Sequence, residues 1–372
     1  MNFFVKESYG HIWNFYHNSH GICYCKMTDE NITQYNVLLP DALEDFDVVI
    51  DDSDCIHMVY QNNSGDILYV NHFENVWRKT VLMKSKSKTV YPKKLSLKIG
   101  GDKLELLYCV EYNGQKMLVH QYVTGEYTEP TVVDCIKNDF CAAYDKEKNL
   151  VVFYYSMTEN EWGLKRILRD EKKWGQLQTK NISADAKNPF LHMDVDGKEH
   201  IVYERDMSIV EYTNGEENVI GTGKKPIMFF QKEEVISWES IVDNKVYIRK
   251  KNDKVPTIIM AGGFSSPRRF EIRYNCYEDF LCADCCKGNI INGTVRLYGI
   301  NNFFAVSKVP PSLADEGENN DAERYVDFKK MKIKINQLEG IIEKLQRKLE
   351  DYDQAKINRR LSDLETAVKN KF

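Results

Sequence analysis

The sequence predicts an all-β domain, a β-propeller of seven four-stranded blades with six as the alternative count, followed by a C-terminal α-helical coiled coil. Three observations carry this prediction. A short apolar run, usually ending in a large aromatic, recurs roughly every 45 residues as far as residue 283. The segments flanking each run recur with it. Beyond residue 308 the apolar period changes from that of strands to that of a helical seam.

The run IHMVY, ending at Tyr60, serves as the template. Comparable runs end at Tyr16 (IWNFY), Tyr108 (LELLY), Tyr154 (LVVFY), Tyr203 (HIVY) and Trp238 (VISW), with a weaker one, FLCA, at Ala283. The spacings are 44, 48, 46, 49, 35 and 45 residues, and six of the seven runs close on an aromatic in the same register. Before each lies a second apolar stretch: NFFVKE, FDVVID, KLSLKI, FCAAYD, FLHMDVD, IMFFQ and FEIRY. After each comes a polar break such as QNNSG or VEYNG, the composition of a hairpin turn. A third stretch follows (ICYCKM, ILYVNH, MLVHQY, LKRILR, IVEYT, VYIRK, TVRLYG), and a more polar fourth closes most units, as in WRKTVLM. Four short strands per unit without intervening helix favour radial blades. A sandwich of two sheets does not easily absorb seven equivalent units. The short fifth spacing and the weak last unit keep six blades as the alternative. Equivalent aromatics at the ends of inner strands are read as packing residues between blades.

The domain boundaries follow composition. Residues 1–308 form the propeller. Residues 309–324 form a linker, opening with Pro-Pro and an acidic, polar run. Residues 325–372 form the coiled coil, with Ile335, Ile342 and Leu349 at a and Leu338, Leu345 and Tyr352 at d. The phase slips after Tyr352 and resumes at Ile357, Leu361, Leu364 and Val368, either as a stutter in one helix or as a break between two. So narrow a seam wants a second helix rather than a globular surface. Arg360-Leu361-Ser362-Asp363-Leu364-Glu365 resembles the Arg-h-x-x-h-Glu pattern of parallel three-stranded coiled coils, in which Arg360 would reach Glu365 of a neighbouring helix. A homotrimer is expected, with a dimer as the alternative.

Composition narrows the function classes. The net charge of -5 comes with no basic stripe, so nucleic acid is not an expected partner. No apolar run reaches the length of a membrane span, and no signal-peptide pattern opens the chain. Ten cysteines in 372 residues is too sparse for a disulfide scaffold. A cytoplasmic location with reduced thiols is therefore expected, and release by another route such as lysis stays open. The sequence lacks GxxxxGK[ST], HExxH and GxSxG. The cluster CYEDFLCADCC suggests zinc at first sight. Strand alternation, however, places Cys282 and Cys286 on one face and Cys285 on the other, so these are read as buried apolar residues. No metal or cofactor is expected.

There is no GH…WD pairing, and two Gly-Gly pairs are too few for kelch repeats. The phrasing DDSDCIHMVYQNNSGDILYV…W resembles the divergent blades of sialidase-type and bacterial lectin propellers. The resemblance covers residues 1–308 at the level of architecture. It departs at the Asp-box Ser-x-Asp-x-Gly-x-x-Trp, where this chain has Asn63-Ser64-Gly65-Asp66, and it transfers no catalytic residue. Sialidase chemistry needs converging arginines, and those of residues 1–308 do not occupy equivalent positions.

The expected function is non-catalytic binding: a lectin-like propeller made multivalent by its coiled coil, with a glycan ligand. The alternative is a cytoplasmic scaffold for protein partners, and a sialidase-like hydrolase stands behind both. Candidate ligand-binding residues are Trp77, Tyr127 and Trp174, which open outer strands near loops, where an aromatic face can stack on a sugar ring.

Overall fold

A computed structural model describes most of residues 2–300. It omits short stretches within that span, the longest being 28–34 and 261–267, and everything from 301 onward. The chain divides into two units, Met1–Ser307 and Lys308–Phe372. The coiled-coil residues belong to the second and lie outside the described residues.

Every regular element described is a β-strand. Blade one contains Asn2–Lys6, Ile12–Asn18, Gly21–Met27 and Asn36–Leu39, hydrogen-bonded in that order. Blade two contains Ala42–Ile50, Ile56–Asn62, Ile67–Phe73 and Val76–Met83. Blade three contains Ser96–Gly100, Lys103–Tyr112, Gln115–Tyr122 and Thr131–Cys135. In blade four, Cys141–Tyr144, Leu150–Ser156 and Glu161–Leu168 are completed by two short segments, Lys173–Trp174 and Gln178–Lys180. Blade five contains Lys187–Met193, Glu199–Arg205, Ser208–Thr213 and Glu216–Thr222. Blade six contains Lys224–Gln231, Glu233–Glu239, Lys245–Lys250 and Thr257–Met260. Each is an antiparallel meander with four strand positions, as the repeats predict, the outer position of blade four being split between two short segments.

The seventh repeat differs from its prediction. Its strands Arg268–Tyr274, Cys285–Ile291 and Thr294–Tyr298 do not form a separate sheet. Arg268–Tyr274 pairs in parallel with Asn2–Lys6, with Phe4 opposite Ile272, so the seventh unit and blade one share one seven-stranded sheet. Among the described residues the seven repeats thus form six hydrogen-bonded sheets. FLCA is not the second strand of this unit: Leu281–Cys282 pairs with the first strand of blade six, and Cys285–Ile291 takes the predicted place. Cys285 and Cys286 are fully buried, in different apolar clusters on either side of that strand. Burial pushes the Cys285 thiol up to about 12. Cys276 and the side chain of Cys282 lie outside the described residues.

Period-two alternation supplies two apolar faces per blade, and each face meets a neighbouring blade. In blade one, Phe3 and Val5 pack with Val48, Met58 and Tyr60 of blade two. The intervening Phe4 packs with Phe270 and Ile272 of the seventh unit and Phe229 of blade six. Similar clusters join blades two and three, three and four, four and five, and five and six. The ring is therefore held by face-to-face packing, each fully buried large side chain contributing roughly 1.5–3 kcal/mol.

Tyr60, Tyr108, Tyr154, Tyr203 and Trp238 are at most 1% exposed, and each polar atom has a partner. The Tyr154 hydroxyl donates to Asp134 at 2.9 Å, and Lys165 donates to the same carboxylate at 3.2 Å. Tyr60 and Lys79 share Asp41 in the same way, and Tyr203 and Arg205 share Glu217. In blades two, four and five a buried phenol hydrogen-bonded to an acid, itself neutralised by a base, fills the register position; Tyr108 donates to Gln121 at 3.4 Å, and Tyr16 of blade one is only partly buried.

The spacing of 35 residues between Tyr203 and Trp238 has a local cause. Blade five uses two-residue turns at Asp206-Met207 and Asn214-Gly215, whose positive φ values fit tight hairpins. Its last strand then runs across Trp238, whose indole nitrogen donates to the Thr222 carbonyl at 3.1 Å. A Cβ on Gly221 would lie 2.4 Å from the indole. Gly221→Ala is therefore expected to destabilise the chain by about 1–3 kcal/mol, measured by urea unfolding. An unchanged midpoint would mean that Trp238 has room to move.

Candidate functional site

First strands meet between blades one and two, two and three, four and five, and five and six, and between blade one and the seventh unit, so these strands line the ring axis. At the end where they begin, a cavity of about 990 Å³ opens. Its wall combines residues from the first strands of four units, among them Asn2, Asn188, Lys225 and Arg268, with Asp139 just ahead of the first strand of blade four. Second strands add Asn14, Tyr16, His17 and Asn18 from blade one, Glu239 from blade six and Lys287 from the seventh unit. Amides, a phenol, an imidazole and several charges thus converge from five repeats, an arrangement suited to a polar ligand with many hydrogen-bonding groups.

The charges in the wall are unequally paired. Lys287 is 1% exposed and donates to Glu239 at 2.8 Å. Burial pushes its ammonium below the ordinary lysine range, and the Glu239 carboxylate works against that shift. Lys225 approaches the other oxygen of Glu239 at 3.4 Å. Arg269 binds Glu271 at 2.6 Å. Asp139 is shared by Lys94 and Lys116 at 3.3 and 3.4 Å. Arg268 is exposed at the mouth and makes no ion pair among the described residues. Deeper along the axis, Arg273 donates to the Val48 carbonyl at 3.0 Å and to Asp47 at 3.2 Å, tying the seventh unit to blade two.

The aromatics singled out by the sequence lie elsewhere. Trp77 is partly buried on the fourth strand of blade two, edge-on to Trp13 with centroids 6.4 Å apart and 4.6 Å from His72. Trp174 is partly buried among residues of blades three and four, edge-on to His120 at 5.4 Å. The two stand in different blades, neither lines the cavity, and Tyr127 lies outside the described residues. The cavity residues carry no motif. They sit at or near the starts of first strands or on the second strands beside them, a pattern that acquires meaning only when the ring brings those strands together.

The sequence matches no protein-family model and no curated protein. Solved structures of similar architecture include the fucose-specific lectin from Aleuria aurantia (11% identity, TM-score 0.44, covering 69% of this chain and 94% of that one). AofleA from Arthrobotrys oligospora shows 12% identity and a TM-score of 0.43, covering 69% and 86%. The α-L-arabinanase of Penicillium chrysogenum, complexed with arabinobiose, shows 11% identity and a TM-score of 0.42, covering 64% and 88%. These likenesses assign no role to any residue.

Removing one partner of the buried pair in the wall leaves the other uncompensated. Glu239→Leu is expected to cost about 3–5 kcal/mol of stability in denaturant unfolding, and Glu239→Leu combined with Lys287→Met to recover most of it. Equal losses in the single and double variants would mean that the pair does not act as a unit.

Proposed function

We propose that the ring is a non-catalytic carbohydrate-binding module whose ligand enters the axial cavity, and that the C-terminal coiled coil multiplies it, as a trimer. The observation that carries this reading is the cavity wall: a wide, polar surface assembled from five repeats, with hydrogen-bonding side chains of every class. A sugar presents many hydroxyls to such a wall, each acting as donor and acceptor. The two carboxylates of the wall are already committed, Glu239 to Lys287 and Lys225, and Asp139 to Lys94 and Lys116. Neither is placed as a free acid or base opposite a second carboxyl group, which supports binding over glycoside hydrolysis. Arg268, exposed at the mouth, favours a glycan bearing a carboxylate, which a guanidinium engages with two parallel hydrogen bonds. Three such sites on one stalk would gain avidity of about 10²–10⁴ on a repetitive surface, so weak individual sites suffice.

The test is a glycan array of neutral, sialylated and uronate-containing glycans, probed with the full chain. Binding to acidic glycans is expected, weakened at least tenfold in Arg268→Ala, the loss of a charged hydrogen bond being worth about 1.5–3 kcal/mol. Absence of binding to every glycan, together with a protein that co-purifies stoichiometrically, would overturn this reading in favour of a protein scaffold.

A further inference from the structure

On four of the inter-blade faces one register position carries a side chain with a buried polar atom. Three residues before the register aromatic stand Trp13, His57, Glu105 and His200 in blades one, two, three and five. Each of these side chains lies on the same strand face as an apolar residue two positions on, and each has a cross-strand neighbour from the third strand. In blade two the arrangement is closed. His57 Nε2 meets Asp51 at 3.0 Å, and Nδ1 meets the Tyr69 hydroxyl at 2.6 Å. In blade three, Glu105 and His120 satisfy each other at 3.0 Å. In blade one, Trp13 donates to Glu7 at 2.8 Å.

Blade five breaks this pattern. His200 is 7% exposed, and its Nε2 lies 3.2 Å from Asp194. The Asp194 carboxylate is itself fixed by the backbone amides of Asp196 and Lys198. That contact engages Nε2 and leaves Nδ1 facing inward. Nδ1 is buried and makes no hydrogen bond. What faces it is a second acceptor, Glu234 Oε2 of blade six at 3.4 Å, and Glu211 of the third strand of blade five occupies the place of Tyr69. Ligand atoms of His200, Glu211 and Glu234 all lie within 4.8 Å of one another. They line a cavity of about 340 Å³ between blades five and six.

We propose that His200 Nδ1, Glu211 and Glu234 bind a divalent transition-metal ion, with Asp194 as the carboxylate that orients the histidine. An inward imidazole nitrogen and two carboxyl groups that are hydrogen-bonded to each other form the donor set, and the carboxylate on the other imidazole nitrogen gives the outer support that such ions require. Carboxylate and imidazole donors without thiolate suit Mn²⁺ or Zn²⁺. Ligands about 2.1 Å from a tetrahedral ion stand roughly 3.4 Å apart, so a cluster whose ligand atoms lie within 4.8 Å of one another has to draw in to close on an ion. The neighbouring cations do not fill the position. Arg249 stands 3.7 Å from Glu211, and the exposed Lys251 stands 3.9 Å from Glu234, both beyond hydrogen-bond distance. The open side of the cluster faces the cavity, where water or a ligand oxygen completes the coordination. The Asp51, Cys55 and His57 group of blade two also brings ligand atoms together, but both nitrogens of His57 are already engaged. It serves as the internal control.

The experiment uses the full chain, stripped with chelator and titrated with Mn²⁺, which discriminates against the free cysteines. Electron paramagnetic resonance of the unbound ion should show one site per chain, retained in His57→Gln, lost in Glu234→Gln and weakened at least tenfold in His200→Gln. Pulsed resonance on the wild type alone should detect one imidazole nitrogen on the bound ion, and saturating Mn²⁺ should raise the unfolding temperature over the stripped protein. If the wild type binds neither Mn²⁺ nor Zn²⁺ above the Glu234→Gln level, a proton on Nδ1 bridges the carboxylates and the proposal fails. Undiminished binding in His200→Gln, or a bound ion without nitrogen coupling, overturns it equally. Glycan binding at the axial cavity enters none of these outcomes.

Discussion

The architecture depends on one closure: the parallel pairing of the strand that opens the chain with the strand that opens the seventh repeat. A ring of blades exposes sheet faces at both ends until the last unit meets the first, and an open ring would leave Phe4, Phe229 and Ile272 in water. Two devices close it. Backbone pairing merges Asn2–Lys6 and Arg268–Tyr274 into one sheet, which removes two unpaired edges at once. Arg273 then reaches past blade one to Asp47, whose other oxygen accepts the Leu97 amide of blade three. The guanidinium and the Val48 carbonyl that it also meets are 225 positions apart in sequence. Loop-closure entropy grows only logarithmically with that separation, so a few buried charged hydrogen bonds are enough to offset it.

The closure also places the candidate binding surface. Because the seventh unit leans on blade one through its first strand, Arg268 and Arg269 arrive at the mouth of the axis beside Asn2 and Asn14. The same unit carries Lys287 inward to Glu239 of blade six. The cavity is thus a product of ring closure rather than of any one blade. A chain that fails to close would lose the wall and the core together.

The repeat was legible in the sequence because it follows from period-two alternation and hairpin turns, which are local. Tyr60, Tyr154 and Tyr203 were found by register, and their burial follows from the same alternation. The merged seventh unit was not legible. Its pairing partner lies at the other end of the chain, and FLCA imitates the aromatic-ended run in composition while pairing with blade six. The axial wall was equally hidden. Asn188, Lys225 and Arg268 look like ordinary polar residues ahead of strands, and only the ring makes them neighbours. Trp77 and Trp174 drew attention as aromatics near loops, whereas the polar strand starts opposite them in the fold carried no such mark. His200, Glu211 and Glu234 come from three strands of two blades, and no spacing rule joins them.

Across the inter-blade faces the chain keeps polar groups in the same place and satisfies them differently, by Tyr69 in blade two and by His120 in blade three. Such positions can vary because face packing elsewhere holds the ring, provided that the seam stays shut. The most direct test is native-state hydrogen exchange at the seam. The Ile272 amide donates to Asp284 within the seventh unit, so by strand alternation the amides of Glu271 and Arg273 face the first strand of the chain; they should exchange only through global unfolding, with the same free energy as Val59 and Leu106 in the cores of blades two and three. Exchange at the seam at a much lower free energy, while those blade cores stay protected, would show that the ring opens independently and would contradict the account.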